Sequence, residues 1–129
     1  MDDYVLVIDD DADLRESIGV MLQAAGHSFT TANDGLEGLA RLRSMNQRPC
    51  VVVLDLMMPR MSGFELREAM KSDPALAKIP VIVVTGAGPL ADRRSRELDA
   101  EILRKPFEVS VLLDAVTRHC VKVPNAQQI

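Results

Sequence analysis

Four stretches of this chain run apolar and then end on a polar residue. Val5-Leu6-Val7-Ile8 ends at Asp9-Asp10, Val51-Val52-Val53-Leu54 at Asp55, and Val81-Ile82-Val83-Val84 at Thr85, while Ile102-Leu103 leads into Arg104-Lys105-Pro106. Aliphatic, largely β-branched runs without polar alternation are the pattern of strands covered on both faces, which is how parallel strands look. All strands of an open parallel sheet point the same way, so the residues ending these runs gather at the carboxyl edge, where ligands bind. The pattern predicts one small site built from three acids, a hydroxyl and a lysine.

Helical patterns fill the gaps. Leu14, Ile18, Met21, Leu22 and Ala25 recur on one helix face, with Asp13 and Glu16 fitting a capping box at its start and Gly26 a left-handed residue past its end. Asp11 and Asp13 fit cap roles better than ligand roles. Asp34 with Glu37 predicts a second cap, followed by a helix face of Leu36, Leu39 and Ala40. Between these helices His27 to Ala32 reads as a short, weaker strand. Phe64 to Lys71 predicts a short helix with Leu66, Ala69 and Met70 on one face, broken by Ser72-Asp73-Pro74. Leu90 to Leu98 has few apolar anchors and reads as a loosely held helix. Val109, Leu112, Leu113, Val116 and Cys120 mark a last amphipathic helix.

Alternation of five strands with five helices predicts an α/β fold, a doubly wound parallel sheet with helices on both faces, because right-handed crossovers require it. The expected strand order is 2-1-3-4-5, as in flavodoxin-like folds. That order puts the switch point between the strands ending at Asp9-Asp10 and at Asp55.

The 129 residues suit one domain, expected over 1–122 with a polar tail over 123–129. A net charge of −4 argues against nucleic acid binding. No apolar run approaches the ~20 residues of a membrane span, and Met1-Asp2-Asp3 lacks the basic-then-apolar pattern of a signal peptide. The expected compartment is therefore the cytoplasm. The two cysteines, Cys50 and Cys120, show no metal spacing and read as reduced thiols packed as small hydrophobes. His27 and His119 read as surface or helix-end residues.

The predicted site has a charge problem. Neighbouring strands lie ~4.8 Å apart, which brings Asp9, Asp10 and Asp55 close together. Two bare carboxylates ~4 Å apart repel by ~4 kcal/mol at an effective dielectric near 20. A shared proton, an approaching lysine or a divalent cation would offset that repulsion. All-oxygen ligation favours a hard ion, Mg2+ or Mn2+, and Lys105 would add positive charge. A carboxylate so placed can attack phosphorus, with cation and ammonium neutralising the equatorial oxygens and the Thr85 hydroxyl donating a further hydrogen bond.

From Val5 to about Cys120 the chain resembles the receiver domain of two-component response regulators. The matching motifs are the acidic pair in VLVIDDD, the DLMMP stretch from Asp55 to Pro59 with Gly63 after it, the VVTG stretch containing Thr85, and the KPF at Lys105 to Phe107. The resemblance implies that Asp55 is the phosphoacceptor, taking its phosphoryl group from a sensor histidine kinase or a histidine phosphotransfer protein. It implies Mg2+ on Asp10, Asp55 and the Met57 main-chain carbonyl, with Asp9 acting largely through water. Thr85 and Lys105 would contact the phosphoryl oxygens, and the Lys105-Pro106 bond would be cis.

The resemblance further implies a signalling switch rather than an enzyme with an external substrate. Such a switch would be a monomer or a weak phosphorylation-dependent dimer with a downstream protein target. Ile102 stands where the family carries an aromatic switch residue, so coupling to the Leu90 to Leu98 face is expected to be weaker or to work by another route. Met57 and Ala87 occupy positions that tune loss of the phosphoryl group. Neither can orient a water, so a long-lived phosphoaspartate is expected.

Two other functions compete. In a haloacid dehalogenase-like phosphatase or phosphotransferase, Asp9-x-Asp11, Thr85 and Lys105 would stand for three motifs. That family needs an acidic pair after the lysine, where only Glu108 follows soon, and it leaves Asp55 to Pro59 unexplained. The other is a binding module that works without phosphorylation, through the Leu90 to Leu98 surface and the last helix.

Overall fold

A computed structural model describes residues 3–86 and 100–120. In chain order it contains β1 (Tyr4–Ile8), α1 (Ala12–Ala24), β2 (Ser28–Ala32), α2 (Gly35–Ser44), β3 (Val51–Asp55), α3 (Gly63–Ser72), β4 (Val81–Thr85), β5 (Glu101–Arg104) and α4 (Val109–Thr117). All five strands are parallel, in the order β2-β1-β3-β4-β5 expected from the alternation. Four helices fall among the described residues. The helix expected at Leu90 to Leu98 and the tail expected over 123–129 lie outside them.

The uninterrupted apolar runs are explained by a core on each side of the sheet. Successive strand residues point to opposite faces. Leu6 and Ile8 of β1, Val52 and Leu54 of β3, and Val81 and Val83 of β4 pack with Leu39, Leu42, Leu66 and Met70 of α2 and α3. Val5, Val7, Val51, Val53, Ile82 and Val84 pack on the other side with Ile18, Leu22, Leu112, Ala115 and Val116 of α1 and α4. The central strands β1, β3 and β4 are buried, apart from half-buried Tyr4, whereas edge strand β2 keeps Ser28 and Phe29 at the surface. This edge position is why β2 reads weakly in sequence.

The caps refine several expectations. The cap of α1 is Asp11, whose carboxylate accepts from the amides of Asp13 at 3.0 Å and Leu14 at 3.2 Å, so no Asp13–Glu16 box forms. The chain turns into the helix immediately after the acidic pair, which places the start two residues earlier than the box requires. Gly26 does adopt a left-handed φ of 90°. Asp34 caps α2 by accepting from the Glu37 amide at 2.9 Å. At α3, Ser62 and Glu65 form a capping box that the sequence reading missed.

The buried face of α2 is Gly35, Gly38, Leu39 and Leu42, not Leu36 and Ala40, and Leu36 is 47% exposed. Gly38 causes the rotation: a Cβ there would sit 2.5 Å from Ile8 Cδ1, so the helix lies directly on β1. On α4, Leu112, Ala115 and Val116 face inward while Val109 lies outside the core. His27, expected at the surface or a helix end, lies just past the end of α1, its amide donating to the Leu22 carbonyl, and is buried, whereas His119 is exposed.

The cysteines are also a correction. Cys50, just before β3, and Cys120, just past α4, are joined in a disulfide with their Cα atoms 5.4 Å apart. They lie 70 residues apart in sequence, and only the packing of α4 on β3 makes them neighbours.

Candidate functional site

The site grows from the carboxyl ends of the three central strands and β5. Ile8 of β1 pairs with Leu54 of β3, so the next residues, Asp9 and Asp55, stand side by side. Both are buried and Asp10 is exposed, and each of the three offers a carboxylate oxygen within 4.8 Å of the others. Asp9 Oδ1 accepts from the Asp11 amide at 2.9 Å, and Asp55 Oδ1 from the Met57 amide at 3.4 Å. Arg15 Nη1 donates to the Asp9 main-chain carbonyl at 2.7 Å, a contact with no sequence signature.

Lys105 completes the charge pattern. Thr85 pairs with Arg104 across β4 and β5, and the Lys105 amide donates to the Thr85 carbonyl at 2.8 Å. This delivers Lys105 Nζ to 3.8 Å from Asp9 Oδ2 and 3.8 Å from Asp55 Oδ1. The following Lys105-Pro106 bond is cis, as the resemblance implied. Thr85 is fully buried at the end of β4. The five side chains anticipated at one edge, Asp9, Asp10, Asp55, Thr85 and Lys105, therefore stand at the ends of adjacent strands.

One cation faces two buried carboxylates, and the balance leaves excess negative charge. Burial pushes the Asp9 carboxyl up, opposed by the Asp11 amide and by Lys105. Burial, then the Asp9 charge, pushes Asp55 up to about 6, with Lys105 opposing. The donor set explains what would relieve this. Three carboxylates, with a main-chain carbonyl next in the Asp55 loop, offer only oxygen, and this suits a hard divalent ion.

The loop after β3 is held tightly. A Cβ on Gly63 would lie 2.6 Å from the Asp55 carbonyl, and the Gly63 amide donates to the Leu56 carbonyl at 2.9 Å. Met57 in this loop is 62% exposed. Arg60 adopts a left-handed φ of 68° and its guanidinium pairs with buried Asp34 at the cap of α2. The sequence reading missed Arg60, because its partner is 26 residues away and only the fold joins them. Ile102 packs against the α2 and α3 side of the core, paired in register with Val83. Ala87 lies outside the described residues.

With this geometry, the sequence profile described as the response regulator receiver domain matches residues 5–117. The chain belongs to that family. As a receiver domain it is similar to the DNA-binding dual master transcriptional regulator RpaA of Synechocystis, with 31% identity over 95% of this chain and 52% of RpaA. It is likewise 31% identical to PilG of Pseudomonas aeruginosa, over 89% of this chain and 85% of PilG. It thus spans about half the length of RpaA and most of PilG. The crystal structure of chemotaxis protein CheY4 from Vibrio cholerae matches with a TM-score of 0.81 and 30% identity, covering 92% of this receiver and 99% of CheY4.

Proposed function

We propose that this receiver domain takes a phosphoryl group onto Asp55 from a phosphohistidine on a sensor kinase or phosphotransfer protein. The observation that carries the reading is the meeting of Asp9, Asp10 and Asp55 within 4.8 Å, with Lys105 Nζ 3.8 Å from two of them. A bound Mg2+ or Mn2+, held by Asp10, Asp55 and the Met57 carbonyl with Asp9 behind a water, would supply the charge that neutralises the transferring group.

The protein's own residues do the rest. Asp55 presents a carboxylate oxygen in line with the phosphorus. A phosphorus–oxygen bond forms as the phosphorus–nitrogen bond breaks, and the departing imidazole keeps the electron pair. Lys105 Nζ turns from the Asp9–Asp55 pair toward the phosphoryl oxygens, and the Thr85 hydroxyl donates to one of them. Met57 carries no group that could orient a water, which supports a long-lived phosphoaspartate. The product is a switched or relayed state rather than a released compound, and its reader is a downstream protein. Its working compartment is the cytoplasm. No described helix is long and apolar enough to cross a membrane.

The test is exposure to acetyl phosphate with Mg2+, followed by intact-mass measurement. The expected result is addition of one phosphoryl group to the wild type, loss of labelling in Asp55→Asn, and no labelling after chelation. Unchanged labelling in Asp55→Asn would overturn the assignment. Steady turnover of a generic phosphate ester would instead favour the phosphatase reading.

A further inference from the structure

We infer that Cys50 and Cys120 form a reversible thiol–disulfide site that fastens and releases the C-terminal end of α4. They are the chain's two cysteines, and the fold sets their Cα atoms 5.4 Å apart, within the range a disulfide spans. Cys120 is 4% exposed, whereas Cys50 is only partly buried, so Cys50 is the sulfur an incoming reagent reaches.

The reduced state is also provided for. Cys50 Sγ lies 3.1 Å from the Tyr4 carbonyl oxygen, which is placed to accept the S–H of the free thiol. Cys120 Sγ would remain among Leu112, Val116, Val51 and the other side chains of its core layer, as a small hydrophobe. On reduction the two sulfurs must separate, and a Cys50 thiol that turns off Cys120 keeps the Tyr4 carbonyl as an acceptor within reach. A disulfide in a cytoplasmic protein is characteristically transient or redox-sensing rather than permanent. This step rests on the compartment proposed above.

The chemistry needs an external oxidant, a low-molecular-weight disulfide such as oxidised glutathione. The Cys50 thiolate attacks one of its sulfurs, forming a mixed disulfide and releasing one glutathione thiolate. The Cys120 thiolate then attacks Cys50 Sγ and releases the second. The two cysteine protons pass to the two released thiolates, so one disulfide is reduced to two thiols as the protein loses two electrons.

The consequence falls at the end of the sheet remote from the carboxylates, since Cys50 precedes the first residue of β3 and Asp55 is its last. Past α4, the amides of Arg118, His119 and Cys120 bond back to Asp114 and Val116, and Arg118 pairs with Glu101 of β5. Oxidation adds a covalent tie from this last turn to the base of β3. Reduction leaves the turn held by those hydrogen bonds, the ion pair and the packing of Cys120 in its core layer, without the covalent tie.

The experiment equilibrates the folded wild type in glutathione buffers of graded ratio, traps thiols by alkylation, and counts them by intact mass. The expected result is a monomer that passes reversibly between two free thiols and none. Amide exchange at residues 118–120 should slow in the oxidised form. The melting temperature should rise on oxidation by on the order of 10 °C. Cys50→Ser and Cys120→Ala should keep the reduced wild type's amide exchange at residues 118–120 at every ratio, and Cys120→Ala should stop at a mixed disulfide of Cys50 with glutathione. Should either variant misfold, the wild-type titration still decides.

A disulfide that reduces only after denaturation, cross-links between chains, or equal exchange at 118–120 in both states would each overturn the inference. Phosphorylation of Asp55 is scored separately. Its absence would sink the phosphoacceptor reading while leaving the thiol titration intact.

Discussion

Asp55 holds its proton more tightly in the folded protein than in the unfolded chain, because burial and the neighbouring Asp9 raise it from 3.8 to about 6. The sign follows from linkage: a raised carboxyl contributes stability below the unfolded value and loses it as pH rises through the folded one. Metal-free protein should therefore lose stability between about pH 4 and pH 7 through this group. Asp55→Asn should be roughly 1–3 kcal/mol more stable than wild type at pH 7 without metal, and equal or less stable at pH 4. Urea unfolding at both pH values checks this, and a wild type as stable as the variant at pH 7 would contradict it. Arg60 poses a second question at this scale. Its left-handed backbone is costly for any residue but glycine, and its side chain serves the buried Asp34 carboxylate. Arg60→Ala keeps the backbone cost and removes the cation, so it should destabilise by about 1–2 kcal/mol. Arg60→Gly loses the same ion pair but relieves the backbone, and should recover about 1 kcal/mol of that. Equal losses in the two variants would show that φ at this position carries no penalty.

At the scale of elements, α2 lies close on β1 through Gly38. Gly38 rests against the Ile8 side chain, whose residue immediately precedes Asp9. Gly38→Ala should push the helix off the strand and cost about 1–3 kcal/mol by overpacking. The atom nearest the added methyl is Ile8 Cδ1, at 2.5 Å, and valine lacks it. The double variant Ile8→Val with Gly38→Ala should therefore lose less than the sum of the singles. A double-mutant cycle in thermal unfolding measures the coupling, and strict additivity would mean that the contact does not limit the packing. The same contact explains why a hydrophobic-periodicity reading of α2 chose Leu36 and Ala40. Glycines contribute nothing to an apolar count, yet here Gly35 and Gly38 define the buried face.

At the scale of the whole molecule, a cation bound only to the folded site must stabilise the entire domain. Mg2+ at ten times its dissociation constant should add roughly 1.4 kcal/mol, and Asp10→Asn, which removes an exposed carboxylate of the cluster without touching the core, should weaken this gain. A melting temperature that ignores Mg2+ in the wild type would count against metal binding at this site.

The sheet order and the edge where Asp9, Asp10, Asp55, Thr85 and Lys105 gather were legible in the chain itself. Doubly covered parallel strands need unbroken apolar runs, and such runs end where the strand stops and polar side chains begin the carboxyl edge. Helix termini were partly legible, because caps are local and depend on residues three or four apart. The sequence could not reveal the Asp34–Arg60 ion pair, the burial of His27 or the bond between Cys50 and Cys120. Each joins or encloses residues that local periodicity treats independently, and their proximity arises only when helices settle on the two faces of the sheet. Alternation along the chain thus determined the fold and the location of the carboxylates. Packing in three dimensions alone decided which distant side chains became partners.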